Sequence, residues 1–119
     1  MTLNEIKQIL GAEEISDSGS AGKEIDTVCG CDLMSDVLTL NKSNSLLLTG
    51  LTNPQVIRTV EMADIEAVYF VRGKHPQTET IALAKEKQIP LLVTRLPMFE
   101  YCGTLYAEGI CGYCSDNPK

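Results

Sequence analysis

The chain has 119 residues, enough for one domain with a single hydrophobic core. Its hydrophobic content of 44% is that of an ordinary globular protein, and we expect it to fold without help from disulfides or metals. The formal net charge of −6 argues against nucleic acid or an anionic membrane as the main partner, since both require a basic face. No basic segment followed by an apolar stretch opens the sequence, and no apolar run is long enough to cross a membrane. We therefore expect a cytoplasmic protein.

The amino-terminal part of the chain predicts one helix followed by short elements. Thr2 and Glu5 have the spacing of a capping box, apolar residues follow at helical intervals, and Gly11 ends the helix. Short strands are predicted at residues 14–16 and 25–31. Residues 32–40 then indicate a short helix, with Asp32 as its N-cap.

From residue 45 onward, short apolar runs alternate with helical segments. The runs at residues 46–48, 67–71 and 89–93 do not alternate with polar residues, which is typical of strands buried on both faces. Helices are predicted at 54–63, 77–87 and 97–107. This order implies right-handed crossovers. We expect one small α/β domain at residues 1–110, with a largely parallel central sheet of four to five strands flanked by helices, and a cysteine-containing tail at 111–119.

Polar and glycine residues follow the three apolar runs. Ligands of open parallel sheets bind beyond the carboxyl ends of the strands, where glycines allow close backbone approach and helix starts offer free N–H groups. The sequence therefore predicts an anion or phosphate site at this edge. The alternative is that these residues form a solvated turn and an ordinary helix cap. The candidate ligand-binding residues are Thr49, Gly50, Asn53, Arg72, Gly73, Lys74, Thr94 and Arg95.

Catalytic signatures are missing from the sequence. It contains no glycine-rich phosphate loop ending in Gly-Lys-Ser/Thr, no dinucleotide fingerprint and no Gly-x-Ser-x-Gly nucleophile motif. His75 is the single histidine and precedes Pro76 in a predicted loop, where an exposed structural role is the simpler interpretation. We therefore predict that the chain is not an enzyme.

The five cysteines leave several interpretations open. An odd number in a chain without an export signal argues against a disulfide framework. Cys111 and Cys114 form a Cys-x-x-Cys motif, which is half of a zinc or iron–sulfur site or a redox pair. Cys29 and Cys31 provide further metal ligands only if the tail folds back, and Cys102 is predicted to lie in the core. Reduced thiols without a special function are the default.

Three short segments of the chain match the motifs of a known family. Residues 31–37, Cys-Asp-Leu-Met-Ser-Asp-Val, resemble an SDLLSDVM segment. Residues 48–54 resemble an ITGxTHP turn, and residues 89–94 resemble a GIPILxT strand. With these motifs the chain resembles the stand-alone DRTGG-domain proteins. The order and spacing match from about residue 2 to residue 110, although the Asp-Arg-Thr-Gly-Gly motif itself is absent and the tail is unusually rich in cysteine.

The resemblance implies an accessory, regulatory role. Similar domains occur in CBS-domain pyrophosphatases, where they accompany control by adenine nucleotides, in some phosphotransacetylases and, more distantly, in HPr kinases. Stand-alone members often lie beside iron-only hydrogenase genes. The expected function is thus a non-catalytic module that senses a ligand such as an adenine nucleotide, forms a homodimer, or docks on a hydrogenase-related enzyme or a kinase. The alternative is a metal or iron–sulfur accessory protein that uses Cys111 and Cys114.

Overall fold

The computed structural model describes residues 1–16, 22–39 and 44–112. These residues form five helices and six strands, which alternate from β2 onward. The helices are α1 (Leu3–Leu10), α2 (Met34–Val37), α3 (Gln55–Ala63), α4 (Thr78–Lys87) and α5 (Met98–Ala107). The strands are β1 (Glu13–Ser16), β2 (Thr27–Gly30), β3 (Ser45–Thr49), β4 (Ala67–Phe70), β5 (Leu91–Val93) and β6 (Cys111–Gly112).

All six strands belong to one sheet with the order β1-β5-β4-β3-β2-β6. Every neighbouring pair is parallel except β1 and β5, which are antiparallel. The predicted α/β fold with a largely parallel sheet is therefore confirmed. The sheet gains a two-residue strand, β6, which pairs with β2 and extends the regular structure to Gly112.

Helices cover both faces of the sheet, as expected for parallel strands. Successive residues of β3 show the two sides: Leu47 packs with α2, α3 and α4, whereas Leu46 and Leu48 pack with α1 and α5. All five residues of β3 and all four of β4 are buried. This burial explains why the strand sequences contain unalternating apolar runs.

The first helix forms as its sequence predicts. The Glu5 N–H donates to Thr2 Oγ1 at 3.2 Å, and the Thr2 N–H donates to Glu5 Oε1 at 2.8 Å, which completes the capping box. Gly11 ends α1 in the left-handed conformation, with φ 59°. No helix in the described part of the chain has both the length and the apolar character needed to cross a membrane.

The prediction for Asp32 is wrong. The helix that follows it is only Met34–Val37, and its N-cap is Leu33, which makes no capping bond through its side chain. The Asp32 carboxylate instead accepts hydrogen bonds from the end of β3. Residue 40, the predicted last residue of this helix, lies outside the described residues.

Candidate ligand site at the carboxyl edge of the sheet

A cavity of about 460 Å³ lies where β4 and β5 end. Three candidate residues line it, namely Gly73, Thr94 and Arg95. Its other walls come from the end of α1, the start of β1 and the segments after β4 and β5. These further lining residues are Leu10, Gly11, Glu13, His75, Val93 and Leu96.

The loop after β4 is a tight turn pinned to the end of β5. Arg72 and Gly73 both have positive φ values, 60° and 69°, and the Lys74 N–H donates to the Val71 carbonyl at 3.2 Å. These features define a type I′ turn. The Arg72 N–H donates to the Leu96 carbonyl, and the Gly73 N–H donates to the Thr94 carbonyl at 2.7 Å. The backbone beside the cavity is therefore held in place from both strands.

Arg95 contributes the nearest cationic side chain to the cavity. It is exposed and follows Thr94, which is buried. The Thr94 hydroxyl accepts from the Leu96 N–H at 3.3 Å and donates to the Leu10 carbonyl at 3.4 Å. These bonds fix the chain where Arg95 leaves the strand. The side chains of Arg72 and Lys74 are exposed in the neighbouring turn but do not line the cavity.

The side chains of Glu13 and His75 lie close together in the same cavity. His75 Nε2 lies 3.9 Å from Glu13 Oε1, and both side chains are more than half exposed. One part of the cavity is therefore cationic, near Arg95, and another offers a carboxylate. Such a site suits a ligand that carries both an anionic group and hydrogen-bond donors.

The end of β3 is already occupied by a carboxylate. Asp32 Oδ1 accepts from both the Thr49 hydroxyl and the Gly50 N–H, each at 2.8 Å. Thr49 Oγ1 in turn accepts from the Leu51 N–H at 3.2 Å. The Gly50 N–H, which the sequence suggested for an anion, is therefore engaged by a side chain of the protein.

Asn53 acts as the cap at the start of α3. Its Oδ1 accepts from the Gln55 N–H at 3.0 Å, and Pro54 already has helical dihedrals. Neither residue lines the cavity at the end of β5. The structure thus brings Gly73, Thr94 and Arg95 together and leaves Thr49, Gly50 and Asn53 elsewhere on the same edge.

No local sequence pattern predicts that Glu13 belongs to this site. Glu13 pairs with Val93 because β1 runs antiparallel to β5, which brings the start of β1 to the carboxyl end of β5. The antiparallel direction depends on a long-range pairing that local patterns do not encode. Gly11 and Leu10 reach the cavity for the same reason, since they directly precede β1.

Three cysteines lie near the end of β2. Cys29, Cys31 and Cys102 are free and partly buried. Burial, followed by the neighbouring thiols of Cys31 and Cys102, raises the pKa of Cys29 to about 12. The Cys111 backbone pairs with Thr27 on the adjacent strand. Cys102 packs beside the core, with its Sγ only 2.9 Å from the position that a Cβ on Gly30 would take.

Within residues 1–16, 22–39 and 44–112, no group of three histidine, cysteine or acidic side chains is arranged to hold a metal ion. Cys114 lies outside the described residues, as do the residues that follow it. The predicted metal site at Cys29, Cys31, Cys111 and Cys114 therefore stays a prediction.

A second cavity, of about 620 Å³, opens between α1 and the segment after α5. Glu5, Asp26 and Glu108 line it, and no lysine or arginine is among its described lining residues. Among these described residues, three carboxylates face a single cation, the Met1 ammonium, which Glu24 already pairs, and this balance disfavours a phosphorylated ligand. The cavity at the end of β5 is therefore the better candidate site.

The fold resembles that of a known regulatory region. Over 87% of this chain and 45% of the other, it superimposes with a TM-score of 0.68 and 19% identity on the CBS and DRTGG domains of the regulatory region of Clostridium perfringens pyrophosphatase. That structure contains the activator diadenosine tetraphosphate. The likeness supports a DRTGG-like fold. No protein-family model matches the chain, and no curated protein matches it.

Proposed function

We propose that this chain is a non-catalytic, cytoplasmic regulatory module of the DRTGG type that binds an adenine nucleotide in the cavity at the end of β5. Two findings support the proposal, namely the likeness of the fold and the cavity at the end of β5. The fold is like that of a regulatory region whose structure holds an adenine-containing activator. This chain spans 45% of that region, so the location of the ligand is argued from the cavity itself.

The cavity with Arg95 at its edge is the observation that carries the proposal. Its volume of about 460 Å³ is in the usual range for small-molecule sites, roughly 300–1,000 Å³. Arg95 provides a guanidinium for bidentate binding of a phosphate group. Arg72 and Lys74 extend from the adjacent turn, so additional phosphates would meet further positive charge at the rim.

The acidic part of the cavity favours the nucleoside end of the ligand. Glu13 and His75 lie close together there, and a carboxylate accepts hydrogen bonds from amino and hydroxyl groups. The same carboxylate repels phosphates. We therefore place the phosphates near Arg95 and the base or ribose near Glu13.

Calorimetric titration with AMP, ADP, ATP and diadenosine tetraphosphate tests this proposal. Removing Arg95 (Arg95→Ala) should weaken binding by roughly tenfold to a hundredfold, because a charge-assisted hydrogen bond contributes about 1.5–3 kcal/mol. Arg72→Gly should weaken binding of the nucleotides with longer phosphate chains. Glycine is chosen because it adopts the left-handed backbone conformation of this position without strain. Arg58→Ala is the matched control, because Arg58 is an exposed arginine on α3 outside this cavity.

Two results would contradict the nucleotide site. One is a wild-type protein whose dissociation constants for all four nucleotides exceed about 1 mM. That value corresponds to a binding free energy of about 4 kcal/mol, little more than a nonspecific anion contact. The other is equal affinity of the wild type and the Arg95→Ala variant. The function would then have to be sought on a protein-binding surface or at the cysteines.

A regulatory module without chemistry of its own acts through a partner. We propose that this protein functions as a homodimer or docks on an enzyme of energy metabolism, such as a hydrogenase-related enzyme or a kinase. The support for the enzyme partner is the sequence resemblance to stand-alone DRTGG-domain proteins. A pull-down from the native host identifies the partner directly.

The second candidate function is a zinc or iron–sulfur accessory protein. The observation that favours it is the pairing of β6 with β2, which brings the Cys111 strand beside the strand that carries Cys29. Burial and the neighbouring thiols raise the pKa of Cys29 to about 12. A bound metal cation would stabilise the thiolate form of this cysteine. Cys114 follows Gly112, the last described residue, after one intervening position.

Anaerobic purification with metal analysis and an absorption spectrum separates this function from the first. A metal site predicts stoichiometric zinc, or iron with a thiolate–iron charge-transfer band, and its loss in the Cys111→Ser and Cys114→Ser variants. Colourless protein without stoichiometric zinc or iron would rule it out. The two serine substitutions should then leave the fold unchanged.

A further inference from the structure

Helix α5 is apolar on the side that faces away from the sheet. Glu100 is its only charged residue. Tyr101 and Leu105 are buried against the sheet, whereas Phe99 and Tyr106 on the outer side are 83% and 76% exposed. A helix that is apolar all round is normally covered on all sides. Nothing among the described residues covers the outer side of α5.

Gly103 lies between the two exposed aromatic residues. Phe99, Gly103 and Tyr106 have the spacing i, i+4 and i+7, so they share one face of the helix. The φ of Gly103 is not positive, and a Cβ at this position would meet no atom within 4 Å. A glycine in a helix interior is destabilising relative to alanine. The fold of one chain therefore gives no reason for this glycine.

Another highly exposed apolar helix residue, Met62, has an ordinary setting. Met62 on α3 is 76% exposed, like Tyr106, but it lies on a helix that also carries Arg58 and Glu61. Single apolar side chains among charges are normal on protein surfaces. The outer face of α5 differs because two aromatic rings and a glycine stand together without a neighbouring positive charge.

We propose that the outer face of α5, defined by Phe99, Gly103 and Tyr106, binds the same face of a second copy of this chain. The midpoint between Phe99 and Tyr106 falls beside Gly103. In an antiparallel pair of α5 helices related by a two-fold axis, Phe99 of each copy would face Tyr106 of the other, and the two glycines would lie at the crossing. The two aromatic rings project on either side of Gly103, which has no side chain. Such a surface is complementary to a second copy of itself, as a two-fold interface requires.

Charge also favours a second copy over a charged partner. Each chain carries a net charge of −6, so two copies repel each other unless they meet where charge is scarce. The outer face of α5 is such a region, with Glu100 at its edge. Added salt screens the repulsion and should tighten this dimer, whereas it would weaken binding to a basic partner.

The two exposed aromatic rings supply about half of the area that each partner buries in a standard dimer interface. An aromatic side chain buries about 150–250 Å² on complete coverage, so Phe99 and Tyr106 provide roughly 300–500 Å² per copy. A standard interface buries about 800 Å² per partner. Ala107, which directly follows Tyr106, is also exposed on this helix and adds to the contact. This inference rests on the homodimer of the proposed function and not on the nucleotide site, since the interface lies on a helix face outside the cavity.

Sedimentation equilibrium of the full chain, without ligand and at two salt concentrations, tests the interface. We expect a dimer whose dissociation constant rises at least about tenfold in Phe99→Glu and in Gly103→Leu, as hot-spot residues at a small interface predict. Met62→Glu is the matched control, with the same change from an exposed apolar residue to glutamate, and should leave the constant unchanged.

Gly103→Ala distinguishes an interface from a folding effect. The alanine should raise the thermal midpoint of the monomer at low protein concentration, because alanine favours the helix, and at the same time weaken dimerisation. A wild type that stays monomeric at about 100 µM, well above the micromolar range expected of a functional contact, would overturn the proposal. A dimer whose dissociation constant is unchanged by both Phe99→Glu and Gly103→Leu would overturn it equally.

Discussion

Truncating Tyr101 to alanine should lower the free energy of unfolding by about 3–5 kcal/mol, as large aromatic deletions in cores do. Tyr101 is completely buried between α5 and the sheet. Its ring packs edge-to-face against Tyr69 of β4, with ring centroids 5.5 Å apart and an interplanar angle of 81°. Removing it would leave a large void under α5. Urea unfolding followed by circular dichroism measures the loss.

The Tyr101→Phe variant is the control that separates the ring from its hydroxyl. The Tyr101 hydroxyl is buried and has no hydrogen-bond partner among the described residues, and burial raises the pKa of this phenol above its usual value. A buried hydroxyl without a partner costs about 1–3 kcal/mol in desolvation, so its removal should not destabilise the protein. A loss in Tyr101→Phe comparable to that in Tyr101→Ala would show that the hydroxyl is bonded in solution.

Much of the fold could be predicted from local sequence patterns. The apolar runs at 46–48, 67–71 and 89–93 correspond to β3, β4 and β5, and the helices between them begin and end within about one residue of the predicted bounds. Strands buried on both faces leave continuous apolar runs, and the intervening segments have helical periodicity. These are local signals, and they are strongest where the sheet is parallel.

The edges of the sheet were less predictable. The direction of β1 and the existence of β6 both depend on pairing with a strand that is distant in the sequence. β1 has four residues and β6 only two, so neither has enough side chains to set a clear pattern. Both strands form because β5 and β2 leave free backbone groups at the edges of the sheet.

The sequence predicts that the candidate residues lie at one edge of the sheet, but it does not predict which of them line a common cavity. Because parallel strands end on the same side, the sequence predicts one edge, and Gly73, Thr94 and Arg95 line one cavity there. The ends of β3 and β5 are separated by β4, however, and adjacent strands are about 4.8 Å apart. Thr49 and Gly50 are therefore roughly 10 Å along the edge from Thr94. The end of α1 and the start of β1 form the other walls of the cavity, and these walls determine which of the edge residues line it.

Replacing Asp32 with alanine should destabilise the protein by about 1.5–3 kcal/mol, the range for hydrogen bonds to a charged group. The carboxylate oxygen Oδ1 serves two donors at once, the Thr49 hydroxyl and the Gly50 N–H. Thr49 is fully buried, but Asp32 is exposed, so water that enters the vacated site would replace part of these bonds and keep the loss near the lower end of that range. Asp36→Ala on α2 is the matched control, because it removes the same charge without breaking these bonds, and it should change stability far less. Equal losses in the two variants would show that net charge, and not the bonds to β3, is responsible.

Nucleotide affinity of the Asp32→Asn variant answers a separate question about the edge. An asparagine keeps an acceptor oxygen for Gly50 but removes the negative charge from the end of β3. If the ligand occupies only the cavity at Arg95, its affinity should change by less than about threefold, because Asp32 does not line that cavity and a screened charge about 10 Å away has little effect. A tenfold gain would show that phosphates extend along the edge to Gly50. The ligand site would then include the end of β3, where Asp32 holds the N–H in the absence of ligand.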